Sequence, residues 1–192
     1  LQALRQSGIR PYIVDLKPLA LARAVNRGEA LILDVEPESW GIILVIAGIP
    51  VIMRTIILRA WEGVALEDRI QRLSDELSRT VRFYNSGHPE QLFSPSAPAF
   101  VTGELANDPA ITQLIQSAIE YKIEPLMPVL ECPSHLPISQ YAVNIGLAMK
   151  GLPPVNNLKP GVNHLEPIDI NLLPREYRGW RKLGIRLPLL HH

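Results

Sequence analysis

Most of this 192-residue chain is predicted to form an α/β domain, and three observations lead there. Three apolar, β-rich runs follow one another between residues 30 and 58. A stripe of apolar residues at helical spacing follows over 66–84. Sheet-forming and helix-forming segments in one stretch bury their apolar faces most simply by stacking as layers. Finally, composition changes over 151–167, where four prolines, two glycines and three asparagines fall in 17 residues. Such a segment buries little and reads as a linker. The expected organisation is therefore a domain over 1–150, a linker over 151–167 and a tail over 168–192.

In chain order, Tyr12-Ile13-Val14-Asp15-Leu16 reads as a short strand. A helix over 18–26 follows, with Pro18 in its first turn, where a missing N–H costs nothing, and Gly28 ending it. The runs 30–34, 40–47 and 50–58 are dense in Ile and Val, and the Ala47-Gly48 break between the last two predicts a hairpin. Their continuous apolar character predicts strands covered on both faces. In the long helix, Leu66, Ile70, Leu73, Leu77, Val81 and Tyr84 recur at three- and four-residue spacing and lay one stripe along about five turns. Asp68 with Arg72, and Asp75 with Arg79, are spaced as i,i+4 pairs on its outer face. Gly87 and Pro89 close it. Phe100-Val101-Thr102 reads as a strand. Asp108-Pro109 opens a helix as N-cap and first-turn proline, with Ile111, Leu114, Ile115, Ala118 and Ile119 on one face. Pro125, Pro128, Pro133 and Pro137 punctuate the approach to a last helix over about 138–150, which Gly151 caps.

Composition narrows the function. Lys plus Arg equals Asp plus Glu at 19 each, so no global field draws nucleic acid or anionic lipid. The cations gather locally in the tail: Arg175, Arg178, Arg181, Lys182 and Arg186 stand against Glu176. Cys132 is the only cysteine, which excludes an intrachain disulfide and a Cys-rich zinc site and suits a reducing cytosol. The apolar stretch 40–50 is shorter than the roughly 20 residues a membrane-spanning helix needs, and no secretory-type signal is visible. Because the chain starts at Leu1 rather than Met, it is expected to be a piece of a longer protein. His191 and His192 receive no function.

Several short motifs occur in an order that resembles a known family. Ile13-Val14-Asp15-Leu16 followed by Ala20-Leu21-Ala22-Arg23-Ala24, then Gly48-Ile49-Pro50-Val51 with Arg54, Glu76-Leu77-Ser78-Arg79-Thr80, and Tyr141-Ala142-Val143-Asn144-Ile145-Gly146-Leu147-Ala148 look like successive parts of the second lobe of PilM. PilM is the type IV pilus assembly family within the actin-like ATPase superfamily, related to the division protein FtsA. The resemblance spans about 5–150 and implies an actin-like (ribonuclease H-like) lobe, a mixed sheet flanked by helices. Behind it, Ile170-Asn171-Leu172-Leu173-Pro174 resembles the start of the inner-membrane protein PilN, the peptide that PilM holds.

Proteins of the actin-like superfamily carry a phosphate hairpin of the form Asp-x-Gly-x-x-Thr and a glycine-rich adenosine loop. The corresponding stretch here is Asp34-Val35-Glu36-Pro37-Glu38-Ser39, and Gly103 is followed by Glu104. Asp34 and Ser39 stand in place, but Glu36 replaces the glycine that lets backbone approach phosphate. Its charge would repel a polyphosphate by about 1 kcal/mol per unit-charge pair at 4 Å in water, and by more near a protein surface. Pro37 removes a further N–H. The expected nucleotide site is degenerate, made of Asp34, Ser39 and Gly103, with no catalytic residue and no metal ligand. No cofactor is expected for this chain, though the resemblance allows ATP and Mg²⁺ in a longer parent.

Each candidate has a plainer alternative. Asp34 also suits a strand-end carboxylate capping a turn, and Gly103 a positive-φ bend. Cys132 with His135 lacks a supporting acid and reads as an ordinary thiol. His88, His135 and His164 are dispersed and lack ligand spacing. Trp61 and Tyr84 are expected in the core, and the basic tail lacks the interleaved aromatics of a nucleic-acid binder.

For Ile170, Asn171, Leu172, Leu173 and Pro174, the alternative is a C-terminal strand packed on its own domain. The favoured reading is a docking peptide that adds to a groove or strand edge. Three buried side chains contribute on the order of 5 kcal/mol before ordering costs. The linker reaches roughly 20–25 Å on average, so the tail is able to dock in cis or on a neighbour, including a homodimer formed by tail exchange. Its basic residues suit the cytoplasmic edge of a membrane anchor beyond this chain. The resemblance implies a non-enzymatic scaffold at the cytoplasmic face of the inner membrane, partnered by PilN- or PilO-type proteins and not by nucleic acid. The alternatives are an actin-like ATPase completed by a missing lobe and, more remotely, a sugar kinase-like fragment.

Overall fold

The computed structural model describes residues 2–8, 14–58, 63–150 and 172. Two compact units are present, Leu1–Leu16 with Ile170–His192 and Lys17–Asp169. In the first, helix α1 spans Gln2–Gln6. The backbone N–H of Leu172 donates to the Val14 carbonyl at 2.8 Å. Residues 14–16 are not in a strand, and the rest of the strand expected over 12–16 lies outside the described residues.

In the second unit, helix α2 (Lys17–Val25) leads into β1 (Glu29–Val35), β2 (Ser39–Ile46) and β3 (Ile49–Ile57). Helix α3 (Leu66–Gly87), β4 (Ala99–Thr102), a 3-10 turn (Glu104–Asn107), α4 (Pro109–Ala118) and α5 (Ala142–Ala148) follow. The sheet runs β3-β2-β1-β4, antiparallel through the first three strands and parallel between β1 and β4. It is therefore mixed.

Alternation of side chains across the pleat divides the core in two. On one face Leu31, Leu33 and Val35 of β1 join Trp40, Ile42 and Leu44 of β2, covered by Ile70, Leu73 and Leu77 of α3 and Ile111 and Ile115 of α4. On the other, Ala30, Ile32, Ile43, Val45 and Phe100 meet Leu21, Ala24 and Val25 of α2 and Ala142 and Ile145 of α5. Helices on both faces explain why β1, β2 and β4 read as unbroken apolar runs. The stripe expected on α3 is the face that packs, and Tyr84 is buried as expected.

Strand β3 departs from expectation. It lies at the sheet edge, and Met53 and Ile57 are 58% and 65% exposed. Only Ile52 and Ile56 pack on the core. Apolar content reports strand propensity, but the helices, not the strand, decide how far the cover extends.

The Ala47-Gly48 turn is as expected, with φ of 50° and 73°, the doubly positive geometry that follows the twist of a two-residue hairpin. The left-handed residue after α2 is Asn26 (φ 49°), not Gly28. Asparagine tolerates that conformation through its short polar side chain. Asp108 caps α4 as predicted, its carboxylate accepting the Ala110 N–H at 2.9 Å. The last helix is shorter than expected, because the N–H groups of Gln140 and Tyr141 both donate to Pro137 in a turn at 3.0 and 3.1 Å. On α3, Arg79 pairs with Glu76 at 3.0 Å, while Asp75 accepts from Gln71 at 3.2 Å. Trp61 and the tail strip other than Leu172 lie outside the described residues.

Helices α2 and α5 meet where a side chain is missing. A Cβ on Gly146 would sit 1.8 Å from the Ala20 carbonyl oxygen, so α5 rests directly on the α2 backbone. The Arg23 guanidinium donates to the Gly146 carbonyl across the same contact.

Candidate functional site

Because β1 and β4 are parallel, their carboxyl ends open on the same rim of the sheet, where ligands of α/β folds commonly bind. Register places Asp34 beside Thr102 and opposite Gly41. The Thr102 hydroxyl donates to Asp34 Oδ1 at 3.1 Å. A Cβ on Gly41 would only touch Asp34, at 3.4 Å from its Cβ, so the carboxylate does not depend on glycine there. Lys17, at the start of α2, reaches over both: its Nζ lies 2.5 Å from Asp34 Oδ2 and 2.8 Å from Glu36 Oε1. The second oxygen of Glu36 accepts the Glu104 backbone N–H at 3.2 Å.

Burial acts to lower the pKa of Lys17, but hydrogen bonds and charge attraction to Asp34 and Glu36 outweigh it and leave the ammonium raised above its ordinary value. Lys17 therefore stays charged at neutral pH, one cation against two carboxylates.

Gly103 is held on two counts. Its φ of 99° is left-handed, and a Cβ would meet the Val35 carbonyl oxygen at 2.5 Å. It thus serves the bend from β4 into the 3-10 turn. Ser39 opens β2, and its carbonyl accepts the Glu36 N–H at 3.0 Å, closing the turn over 36–39. The structure brings Asp34 and Gly103 to one rim through Thr102 and Glu36. Sequence reasoning missed Lys17 and Thr102. A lysine before a helix-starting proline carries no motif, whereas Thr102 at a strand end beside Gly103 offered a faint one.

The residues do not fit a polyphosphate in this arrangement. The Glu104 N–H points to Glu36, and the Lys17 ammonium faces Asp34 and Glu36, two acidic side chains against one cation that repel a second anion. Asp34 is likewise committed to Thr102 and Lys17.

Elsewhere, Cys132 is half-buried and its thiol lies 3.5 Å from the Leu130 carbonyl. Among the described residues no group of three or more His, Cys, Asp or Glu is arranged to hold a metal ion. A groove of about 400 Å³ runs between β3 and α3, lined by Arg54, Arg72 and Arg79 with Asp75 and Glu76. Arg54 spans it to Glu76 at 2.5 Å. Leu172 has an in-chain partner in Val14 and a side chain 46% exposed; Ile170, Asn171, Leu173 and Pro174 lie outside the described residues.

No family model matches this chain, and no curated protein does. Solved structures do. A PilM-PilN type IV pilus biogenesis complex matches with a TM-score of 0.53 at 20% identity, over 80% of this chain and 56% of that one. The filament structure of AlfA from B. subtilis plasmid pLS32 gives 0.47 at 14% identity, over 70% and 43%. The ethanolamine utilization protein EutJ from Carboxydothermus hydrogenoformans gives 0.46 at 14% identity, over 76% and 59%. Of these three, the first carries the argument, and it concerns fold: the chain has an actin-like lobe, a mixed sheet flanked by helices. It spans about half the length of the solved chains it resembles.

Proposed function

We propose that this chain is a non-enzymatic scaffold of type IV pilus assembly, an actin-like lobe that works by holding protein and not by hydrolysing nucleotide. Its place would be the cytoplasmic face of the inner membrane, with PilN- or PilO-type proteins as partners. The observation that carries the reading is Glu36. Where the superfamily motif has glycine, its carboxylate bridges Lys17 and the Glu104 N–H and so sets a negative charge on two donors that would suit a phosphate. The strip Ile170-Asn171-Leu172-Leu173-Pro174 supports the partner class. It resembles the PilN peptide, and the Leu172 bond to Val14 suits a segment held through its backbone.

A second reading is favoured by one observation. Asp34, Thr102 and Gly103 lie together at the rim where β1 and β4 end, so a longer parent with another lobe would carry an ATPase site there. Titration of the chain and of that parent with ATP and Mg²⁺, followed by calorimetry, separates the two. The scaffold reading expects no binding by either. Micromolar binding abolished by Asp34→Ala would overturn it. Replacing Leu172 and Leu173 by Asp is expected to raise protease sensitivity after Gly151; unchanged protection would remove the tail from the reading.

A further inference from the structure

We infer that the edge of β3 away from β2 is a self-pairing surface that joins two copies of this chain about a two-fold axis at Thr55. Leu58 donates its N–H to Glu38 at 2.9 Å, in register with the Ile57–Ser39 and Ile56–Trp40 partners. In an antiparallel ladder, alternate residues send both backbone groups to the same side. The even residues of 52–58 thus bond to β2, and Met53, Thr55 and Ile57 direct their N–H and C=O groups away from the sheet. Among the described residues no strand lies on that side. Pro50, which has no N–H to offer, sits beyond the irregularity at Leu44/Val45 and outside this stretch.

The same residues share one face of the sheet beside that edge, and they are exposed there. Met53 and Ile57 are among the most exposed large apolar groups in the described chain. Natural edges are normally guarded by charge, above all lysine. Here the only charged residue of β3 is Arg54, and its guanidinium is drawn to Glu76.

What identifies the occupant as a second copy is that the edge complements itself. Antiparallel pairing centred on Thr55 sets Met53 against Ile57 of the other copy, and Ile57 against its Met53. Thr55 meets Thr55, a favourable cross-strand combination. All three positions are hydrogen-bonded pairs, so each outward N–H and C=O finds a partner. Arg54 falls opposite Ile56 and not opposite another Arg54, which avoids like charges facing across the ladder. The result is one continuous eight-stranded sheet made of two four-stranded sheets.

Sedimentation equilibrium of the full chain over a concentration series tests this, with circular dichroism confirming the fold of each variant. The wild type is expected to approach twice the monomer mass. A Met53→Lys/Ile57→Lys double variant, and separately Thr55→Pro, are expected to stay at monomer mass. Neither change touches the β2 ladder, because the altered groups face outward. In a Cys132→Ala background, Thr55→Cys is expected to form a covalent dimer on mild oxidation, since directly opposed hydrogen-bonded residues stand about 5.5 Å apart at Cα; Arg54→Cys is expected to form far less. A chain that is monomeric throughout would overturn the inference. So would a dimer indifferent to the edge variants, a failure of Thr55→Cys to cross-link, or capture of a separate peptide strand on β3 by a monomer.

Discussion

Gly146→Ala sets two physical effects against each other with opposite signs. Glycine inside a helix is less favourable than alanine by about 1 kcal/mol, so propensity alone expects stabilisation. The structure expects the reverse. A Cβ at this position would lie 1.8 Å from the Ala20 carbonyl oxygen, a backbone atom that cannot rotate aside, and ordinary contact begins near 3.4 Å. Helix α5 must therefore withdraw from α2 by about 1.6 Å, the difference between those distances. That shift loosens Ile145, otherwise 6% exposed, and breaks the Arg23 bond to the Gly146 carbonyl. Overpacking costs about 1–3 kcal/mol and a hydrogen bond to a charged donor contributes about 1.5–3 kcal/mol. Set against the propensity gain, the expected net loss is about 1.5–5 kcal/mol. Urea denaturation read by circular dichroism measures it as a fall in midpoint at unchanged slope. Gly87→Ala at the end of α3, where nothing lies within 4 Å, is the matched control and is expected to gain up to about 1 kcal/mol. If Gly146→Ala matched the control, the close approach of α5 to α2 would be refuted.

Two further expectations follow from other sites. Ala47 holds a φ of 50° in the hairpin turn, a conformation that costs a residue with a Cβ about 1–2 kcal/mol, so Ala47→Asn is expected to stabilise by about 0.5–1 kcal/mol in the same assay. Lys17 has a raised folded pKa, so its contribution is complete below its ordinary value of 10.5 and is lost as pH climbs through the folded value. Burial, with nearby Glu120 and Glu29, likewise raises Tyr121 above its ordinary 10.0, and the phenolate it forms at higher pH is disfavoured in the fold. Stability is therefore expected to decline above about pH 10, and Lys17→Met to flatten part of that decline. The loss at neutral pH is expected to be about 1 kcal/mol or less, because the lysine is partly solvated and screened. Equal slopes in both proteins would exclude the pairing.

Much of the fold was legible because local chemistry and tertiary demand agree. The α3 stripe, the Asp108 cap and the Ala47-Gly48 turn each state in sequence what packing later uses. Disagreements arise where a distant element decides. Nothing within Ile49–Ile57 says that helices stop short of the odd-numbered side chains, and nothing in Gly146 announces Ala20, more than a hundred positions away. The candidate site was half legible. Glu36 stood out against its motif, but what that carboxylate does required Lys17 and Glu104, whose roles exist only once α2 and the 3-10 turn are in place.

The parallel seam between β1 and β4 also governs the order of assembly. The meander from β1 to β3 closes through short turns, whereas the other side of β1 waits for a strand that emerges from the ribosome roughly 60 residues later. At about 5–20 residues per second, that interval lasts about 3–12 s. Throughout it, a largely apolar strand presents an unsatisfied flank, a template for mispairing that α3, synthesised in between, is positioned to shield only on one face. Nascent-chain aggregation is therefore expected to respond more to changes in β1 than to equally destabilising changes in α4.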